Sequence, residues 1–130
     1  MSHKPKPPNT EPSIRVVMMP RDTNAEGTIF GGVILSLIDQ AAYVEAVRQS
    51  HRRYVTVAMR EVVFHQPVFV GDVLSLHADT IRIGRTSMTI RVRVCARRRT
   101  DPDQDVKVTE AEVVFVAIDD SGKPVPVLGD

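Results

Sequence analysis

The sequence predicts an α+β domain in which one long helix packs on a five-stranded antiparallel sheet. Three observations carry this. Residues Val33 to Gln49 are apolar at helical spacing and of helix length. From Tyr54 to Asp119 the chain is a succession of β-branched runs parted by short turns. One more short run, Ile14 to Met19, precedes the helix. The order is therefore β-α-β-β-β-β, and short connections between successive long strands imply antiparallel pairing.

Taken in order, residues Met1 to Ser13 are rich in proline, with Lys, Asn and Thr, and bury too little apolar surface to order themselves; they read as a disordered arm, with the domain from residue 14 to 130. Ile14 to Met19 is a first strand, ended by Pro20. Residues Arg21 to Phe30 contain Asp22, Asn24 and Gly27, which suit a turn because Asp and Asn bond their own backbone. Gly31 and Gly32 open the helix. On a helical wheel its apolar residues reach nearly every side, which predicts a helix buried all round by the sheet, with Asp39 as an acid in its middle. Arg48, His51, Arg52 and Arg53 suit the negative end of its dipole.

Tyr54 to Gln66 is the next strand, stopped by Pro67, and Gly71-Asp72 turns the chain. Val73 to Ile83 and Thr86 to Arg99 follow, joined by a tight turn at Gly84-Arg85. In the second of these, Met88, Ile90, Val92, Val94 and Ala96 share a face expected to be buried; Thr89, Arg91, Arg93, Cys95 and Arg97 share the other. Thr100 to Asp105 is a polar loop, Val106 to Asp119 a last strand, and the VPVLGD tail is irregular. The helix covers one face of the sheet, and dimerisation is expected to help cover the other.

Composition narrows the function. The chain has 130 residues, one domain's worth, with a net charge of +1, which argues against a dominant nucleic-acid footprint. The single cysteine excludes an internal disulfide framework and points to a reducing, cytoplasmic setting. No secretory signal or membrane-spanning run is read from the sequence. The four histidines show no HxxxH, HExxH or Cys/His pairing, so no metal site is expected.

Three features could do chemistry, each with a plainer reading beside it. Asp39 in an apolar helix is a base or nucleophile, or an acid held by a structural partner. Asn24 could hold a water or a carbonyl, or only form its turn. The N–H groups at Gly31 and Gly32 could stabilise an oxyanion, or the glycines could serve close packing. Together they would suit hydrolysis of an activated acyl carbonyl. The arginines at positions 82, 85, 91, 93 and 97 to 99 read mainly as a solvated strand face, of which a phosphate-bearing ligand could use a few.

The run MPRDTNAEGTIFGGVILSLIDQAA resembles the loop-helix signature of the hotdog-fold acyl-CoA thioesterases, in the branch of bacterial acyl-CoA hydrolases and their vertebrate cytosolic relatives. VTVAMREVVFHQPVFVGDVL, GRTSMTIRVRV and TEAEVVFVAIDDSGKPVPV resemble its later segments, so the likeness runs from Ile14 to the end of the chain. It implies a central helix wrapped by a curved five-stranded sheet, and a homodimer joined sheet edge to sheet edge, often as a trimer of dimers. It implies hydrolysis of acyl-CoA to a carboxylic acid and CoA without a cofactor. Asn24 and Asp39, from opposite subunits, would be catalytic, with Gly32 meeting the thioester oxygen. Gly31, Val57, Ala58, Met59, Arg60, Gly84, Arg85, Thr86 and Ser87 would contact the substrate. Arg60 stands where similar sequences often carry an acid. Two other classes remain compatible: a non-catalytic acyl-CoA-binding regulator, and a hydratase or dehydratase, although no His lies between the loop and Asp39.

Overall fold

The structure is a computed structural model that describes residues 4–129. Strand β1 (Ile14–Val17) leads through a short 3-10 turn (Pro20–Asp22) and a loop into helix α1 (Gly31–Gln49). Four strands follow: β2 (Arg53–Phe64), β3 (Val73–Ile83), β4 (Ser87–Arg97) and β5 (Asp105–Ile118). All pair antiparallel in one sheet of order β1-β3-β4-β5-β2. The predicted element order and types are those observed.

The core forms where α1 lies on the sheet. Ile34, Ile38, Ala41, Ala42 and Ala46 are buried, at spacings that put them on one side of the helix. The three alanines let the helix axis come close to the strands, while Ile34 and Ile38 fill the space ahead of them. Beneath lie Leu74, Leu76, Ile90, Val92, Val113 and Phe115, all fully buried or nearly so. Each such aliphatic side chain contributes about 1.5–3 kcal/mol. On β4 the face predicted to be buried, from Met88 to Ala96, is the one that packs here.

Two expectations change. The helix is not enclosed within one chain: Tyr43 and Val44 on its outer side are 46% and 47% exposed. A single five-stranded sheet covers only one side of a helix, so apolar residues all round do not imply burial by the same chain. The arm expected to be disordered is laid along the end of α1 where it is described. The Lys6 N–H donates to Gln49 Oε1 at 2.7 Å, Gln49 Nε2 donates back to the Lys6 carbonyl at 3.3 Å, and Arg48 Nη2 donates to the Pro7 carbonyl at 2.9 Å. Residues 4–13 form no helix, and side chains of α1 satisfy polar groups that proline-rich chain cannot satisfy internally. The first three residues of that arm lie outside the described residues.

β2 is an edge strand with its pairing to β5 broken twice, at Val57 and again between Arg60 and Val63, where Glu61 takes φ of +56°. Val55 is exposed by alternation with the buried Tyr54, whereas Val57, Val63 and Phe64 are exposed at or beyond the bulges. The C-terminal tail is irregular, as expected, but not loose, since Val127 is fully buried.

Candidate active site

The loop before α1 is fastened from both ends. The Ile29 N–H donates to the Val68 carbonyl at 2.8 Å, and the Phe30 N–H to the Asp22 carbonyl at 3.0 Å. Asn24 organises the loop between. Its Oδ1 accepts from the N–H groups of Glu26 (2.9 Å) and Thr28 (3.1 Å), and its Nδ2 donates to Thr28 Oγ1 at 2.9 Å. The turn-forming reading of Asn24 is thus visible in the geometry. A carboxamide nitrogen has two donors, and the second has no partner among the described residues.

Helix α1 begins without a side-chain cap at Phe30. Among the described residues no acceptor meets the N–H groups of Gly31 and Gly32, so the positive end of the helix is unanswered by the chain itself. The two glycines differ. A Cβ on Gly31 would stand 3.3 Å from Phe64 Cζ, so close packing explains that glycine. A Cβ on Gly32 would meet nothing within 4 Å. Nothing in the chain itself requires Gly32 to lack a side chain.

Asp39 lies eight residues beyond Gly31, about 12 Å at the helical rise. It is half-buried, and its Oδ1 accepts a 2.7 Å bond from Thr56 Oγ1 on β2. Oδ2 has no partner among the described residues. The pair opens into a cleft of about 500 Å³ lined also by Gln40, Tyr43, Val44, Tyr54 and Phe115. The three aromatic rings form one wall, with centroids 6.0–6.5 Å apart and edge-to-face or tilted contacts. Thr56 went unnoticed in the sequence. The signal available was its position two residues after Tyr54, which places both side chains on the helix-facing side of β2.

The buried acid of α1 is not Asp39 but Glu45, which is 2% exposed. Its carboxylate accepts from Arg48 Nε (2.7 Å) and Nη2 (3.0 Å), Gln49 Nε2 (3.2 Å) and Thr80 Oγ1 (2.7 Å). Burial pushes its pKa up; the bonds from Arg48, Thr80 and Gln49 together outweigh this and hold it below the ordinary value. Oε1 takes one of these bonds and Oε2 three, and the carboxylate ties the helix end to β3.

The remaining residues expected to contact substrate fall in two places. Val57, Ala58, Met59 and Arg60 lie along the β2 edge. Arg60 Nε donates to Glu112 Oε1 at 3.3 Å, and Arg91 Nη2 to Glu112 Oε2 at 2.8 Å. Arg60 is therefore drawn into a cross-strand charge ladder, together with Arg93–Asp79 and Arg97–Asp105. Of the predicted basic face, Arg91, Arg93 and Arg97 are thus paired with acids across the strands. Gly84, Arg85, Thr86 and Ser87 form the β3–β4 turn, closed by the Gly84 N–H on the Ser87 carbonyl at 2.7 Å. Ser87 pairs with Val116 and Val116 with Val55; the next row is Met88, Phe115 and Thr56. The turn therefore ends one row from the Thr56–Asp39 pair, across two strand spacings, about 10 Å.

Within one chain these parts are not brought to one place. Gly31 lines a separate hollow of about 310 Å³ with Thr28, Ile34 and Phe64, and Asn24 lines neither that hollow nor the Asp39 cleft. Among the described residues no group of three or more His, Cys, Asp or Glu could hold a metal, and no helix is long and apolar enough to cross a membrane. Burial raises the pKa of Cys95, with Asp105 adding to it, which disfavours the thiolate.

Comparison with known proteins agrees with this architecture. The family model of the thioesterase superfamily matches residues 26–102. An acyl-CoA thioester hydrolase of Zymomonas mobilis, itself described as uncharacterized, is 44% identical over 95% of this chain and 83% of its own length. The acyl-CoA thioester hydrolase YciA of Escherichia coli is 40% identical over 85% of this chain and 86% of its own. Among solved structures, a hexameric hotdog-fold thioesterase of Campylobacter jejuni superposes with a TM-score of 0.85 at 40% identity, covering 92% of this chain and 90% of that one. A hexameric thioesterase of Yersinia pestis gives 0.86 at 39% identity, covering 95% and 98%. With one helix on a five-stranded antiparallel sheet, an uncapped helix start and matches of this extent, the chain belongs to the hotdog-fold acyl-CoA thioesterase family.

Proposed function

We propose that this protein hydrolyses acyl-CoA, with water, to a carboxylic acid and free CoA. The observation that carries the reading is Asp39: a carboxylate with one oxygen oriented by Thr56 and the other open to an apolar-walled cleft. The open oxygen takes a proton from a water whose oxygen adds to the thioester carbonyl carbon. The negative charge on the carbonyl oxygen is received by the unpartnered N–H groups at Gly31 and Gly32 of a second subunit, because those of the same chain lie about 12 Å along the helix from Asp39. The carbon–sulfur bond then breaks, and the proton held by Asp39 goes to the departing thiolate.

Asn24 of a second subunit supplies its spare N–H to the water or the substrate. Asp39 and Asn24 line no common hollow in one chain, and Tyr43, Val44 and the β2 edge are exposed there; both facts favour a site completed by self-association. The similar hexameric thioesterases favour a trimer of dimers. CoA lies along Val57 to Arg60 and the turn from Gly84 to Ser87, in a cytoplasmic setting.

The test is a panel of acyl-CoA thioesters of graded chain length, read out by released thiol, with Asp39→Asn as control. Turnover by the wild-type protein, reduced about 10²–10⁴-fold in the variant, is expected for loss of a general base. Tight CoA binding with no hydrolysis at any chain length would instead make the protein a binding module. Single turnover in labelled water separates the general-base route from direct attack, because only attack by the carboxylate places label in Asp39.

A further inference from the structure

The last residues of the chain join three separate elements. The Val125 N–H donates to the Ala117 carbonyl at 2.9 Å, and the Ala117 N–H to the Thr86 carbonyl at 2.9 Å. The Val127 N–H donates to the Arg85 carbonyl at 2.9 Å, while its own carbonyl accepts from Ser50 Oγ at 2.6 Å. Arg52 closes the arrangement. Its Nε donates to the Pro126 carbonyl at 2.9 Å, and its Nη2 to the Gly129 carbonyl. The segment from Pro124 to Gly129 is thus bound at once to the end of α1, the end of β5 and the β3–β4 turn.

The consequence falls on the turn. The carbonyls of both its central residues, Arg85 and Thr86, are engaged inward by the strap and by β5. On that held backbone Arg85 is exposed and Thr86 half-buried. The Arg85 guanidinium is exposed and carries no ion pair among the described residues, whereas Arg91, Arg93 and Arg97 are all paired with acids. An unspent guanidinium on a fixed turn is suited to a phosphate group. A two-residue turn left to itself fixes only its own closure. Its direction relative to α1, which carries Asp39, is set by the strap.

We propose that the C-terminal strap, locked by Arg52 and Ser50, is a positioning device that holds the β3–β4 turn in place for the phosphate-bearing end of the CoA thioester. This rests on the reading that the turn meets CoA. Arg52 and Ser50 act through Arg85 and Thr86 and touch no reacting atom. When the strap loosens, part of the substrate's binding energy goes to ordering the turn, and affinity falls without change in the chemical step.

The test compares Arg52→Ala, Arg52→Lys and Ser50→Ala with wild type on an acyl-CoA and on the same acyl group carried by pantetheine, which lacks the nucleotide. Arg52→Ala is expected to raise KM for acyl-CoA about tenfold with kcat within about twofold, and to leave the pantetheine thioester unaffected. Arg52→Lys, with a donor but no fork, should recover part of the loss. Ser50→Ala, which removes one bond, should show the same selectivity to a smaller degree and serves if Arg52→Ala does not fold. A lower melting temperature with unchanged KM for acyl-CoA would overturn the proposal. So would an equal loss on both substrates, which would mean the strap supports the fold at large. If wild type handles the two substrates equally and Arg85→Ala leaves KM for acyl-CoA unchanged, the turn does not meet the nucleotide, and the premise is what has failed.

Discussion

Replacing Glu45 by Gln isolates the cost of neutralising a carboxylate that sits among four donors. The wild-type group is 2% exposed and accepts four hydrogen bonds between 2.7 and 3.2 Å, two of them from Arg48. Breaking a fully buried ion pair costs about 3–5 kcal/mol. The Arg48 side chain is 25% exposed and can regain water, so that figure must be reduced. Gln keeps the shape and one acceptor but turns an N–H₂ group toward donors. The expected loss is about 1–3 kcal/mol, a fall in melting temperature of roughly 5–10 °C for a domain of this size.

Its pH dependence carries a sign. The folded-state pKa of Glu45 lies below the ordinary 4.5, so its contribution is complete above that value and is lost as pH falls through the folded value. The gap in stability between wild type and Glu45→Gln should therefore be constant near neutral pH and close as the solution is acidified below 4.5. Urea denaturation at fixed protein concentration over that range is the measurement. A variant as stable as wild type at pH 7, or a gap that does not narrow in acid, would refute the account of Glu45 as a net-stabilising buried charge.

Gly32→Ala should keep or raise stability, by up to about 1 kcal/mol from helix propensity, because a Cβ there meets nothing within 4 Å; acyl-CoA hydrolysis should nonetheless fall, and unimpaired kcat/KM would remove Gly32 from the site. Thr56→Val deletes the hydroxyl that orients Asp39 and is expected to lower kcat about tenfold with little change in melting temperature, since the position is exposed; unchanged kcat would show that Asp39 needs no orienting partner. Asn24→Ala and Asp39→Ala proteins, each inactive, should regain about a quarter of wild-type activity after random subunit exchange if the site is shared across a two-fold interface. No recovery after exchange proven by mass would place both residues in one subunit.

The strands were legible because alternation and turn residues are local signals. Val73 to Ile83 was bounded by Gly71-Asp72 and Gly84, and the buried face of β4 followed from period two alone. The sheet order was not legible. β2 leaves α1 and crosses to the far edge beside β5, and no residue in Tyr54 to Phe64 announces that partner. The same gap hid which acid is buried. With apolar residues on every side of α1, the wheel could not say which side meets the sheet, so Asp39 drew attention that Glu45 had an equal claim to. The part of Asn24 in its own loop was readable from the sequence, whereas Thr56 was not, because its bond to Asp39 joins residues 17 apart on two different elements. The tail lacked any periodic signal, yet Val127 is fully buried through long-range bonds to Arg85 and Ser50.

The two bulges in β2 limit what that edge can become. An edge of 12 residues with exposed Val55, Val57, Val63 and Phe64 would, if flat and regular, accept strand after strand in open-ended growth. Here only Ala58 to Arg60 keeps unbroken register between the breaks, and Glu61 at φ +56° turns the strand out of line. Paired to β5 on one side, β2 has one free side for a single antiparallel neighbour, and the two breaks shorten the straight edge it offers there. The same irregularities that disturb the pairing within the chain therefore favour an assembly that closes on itself over one that grows into a fibre.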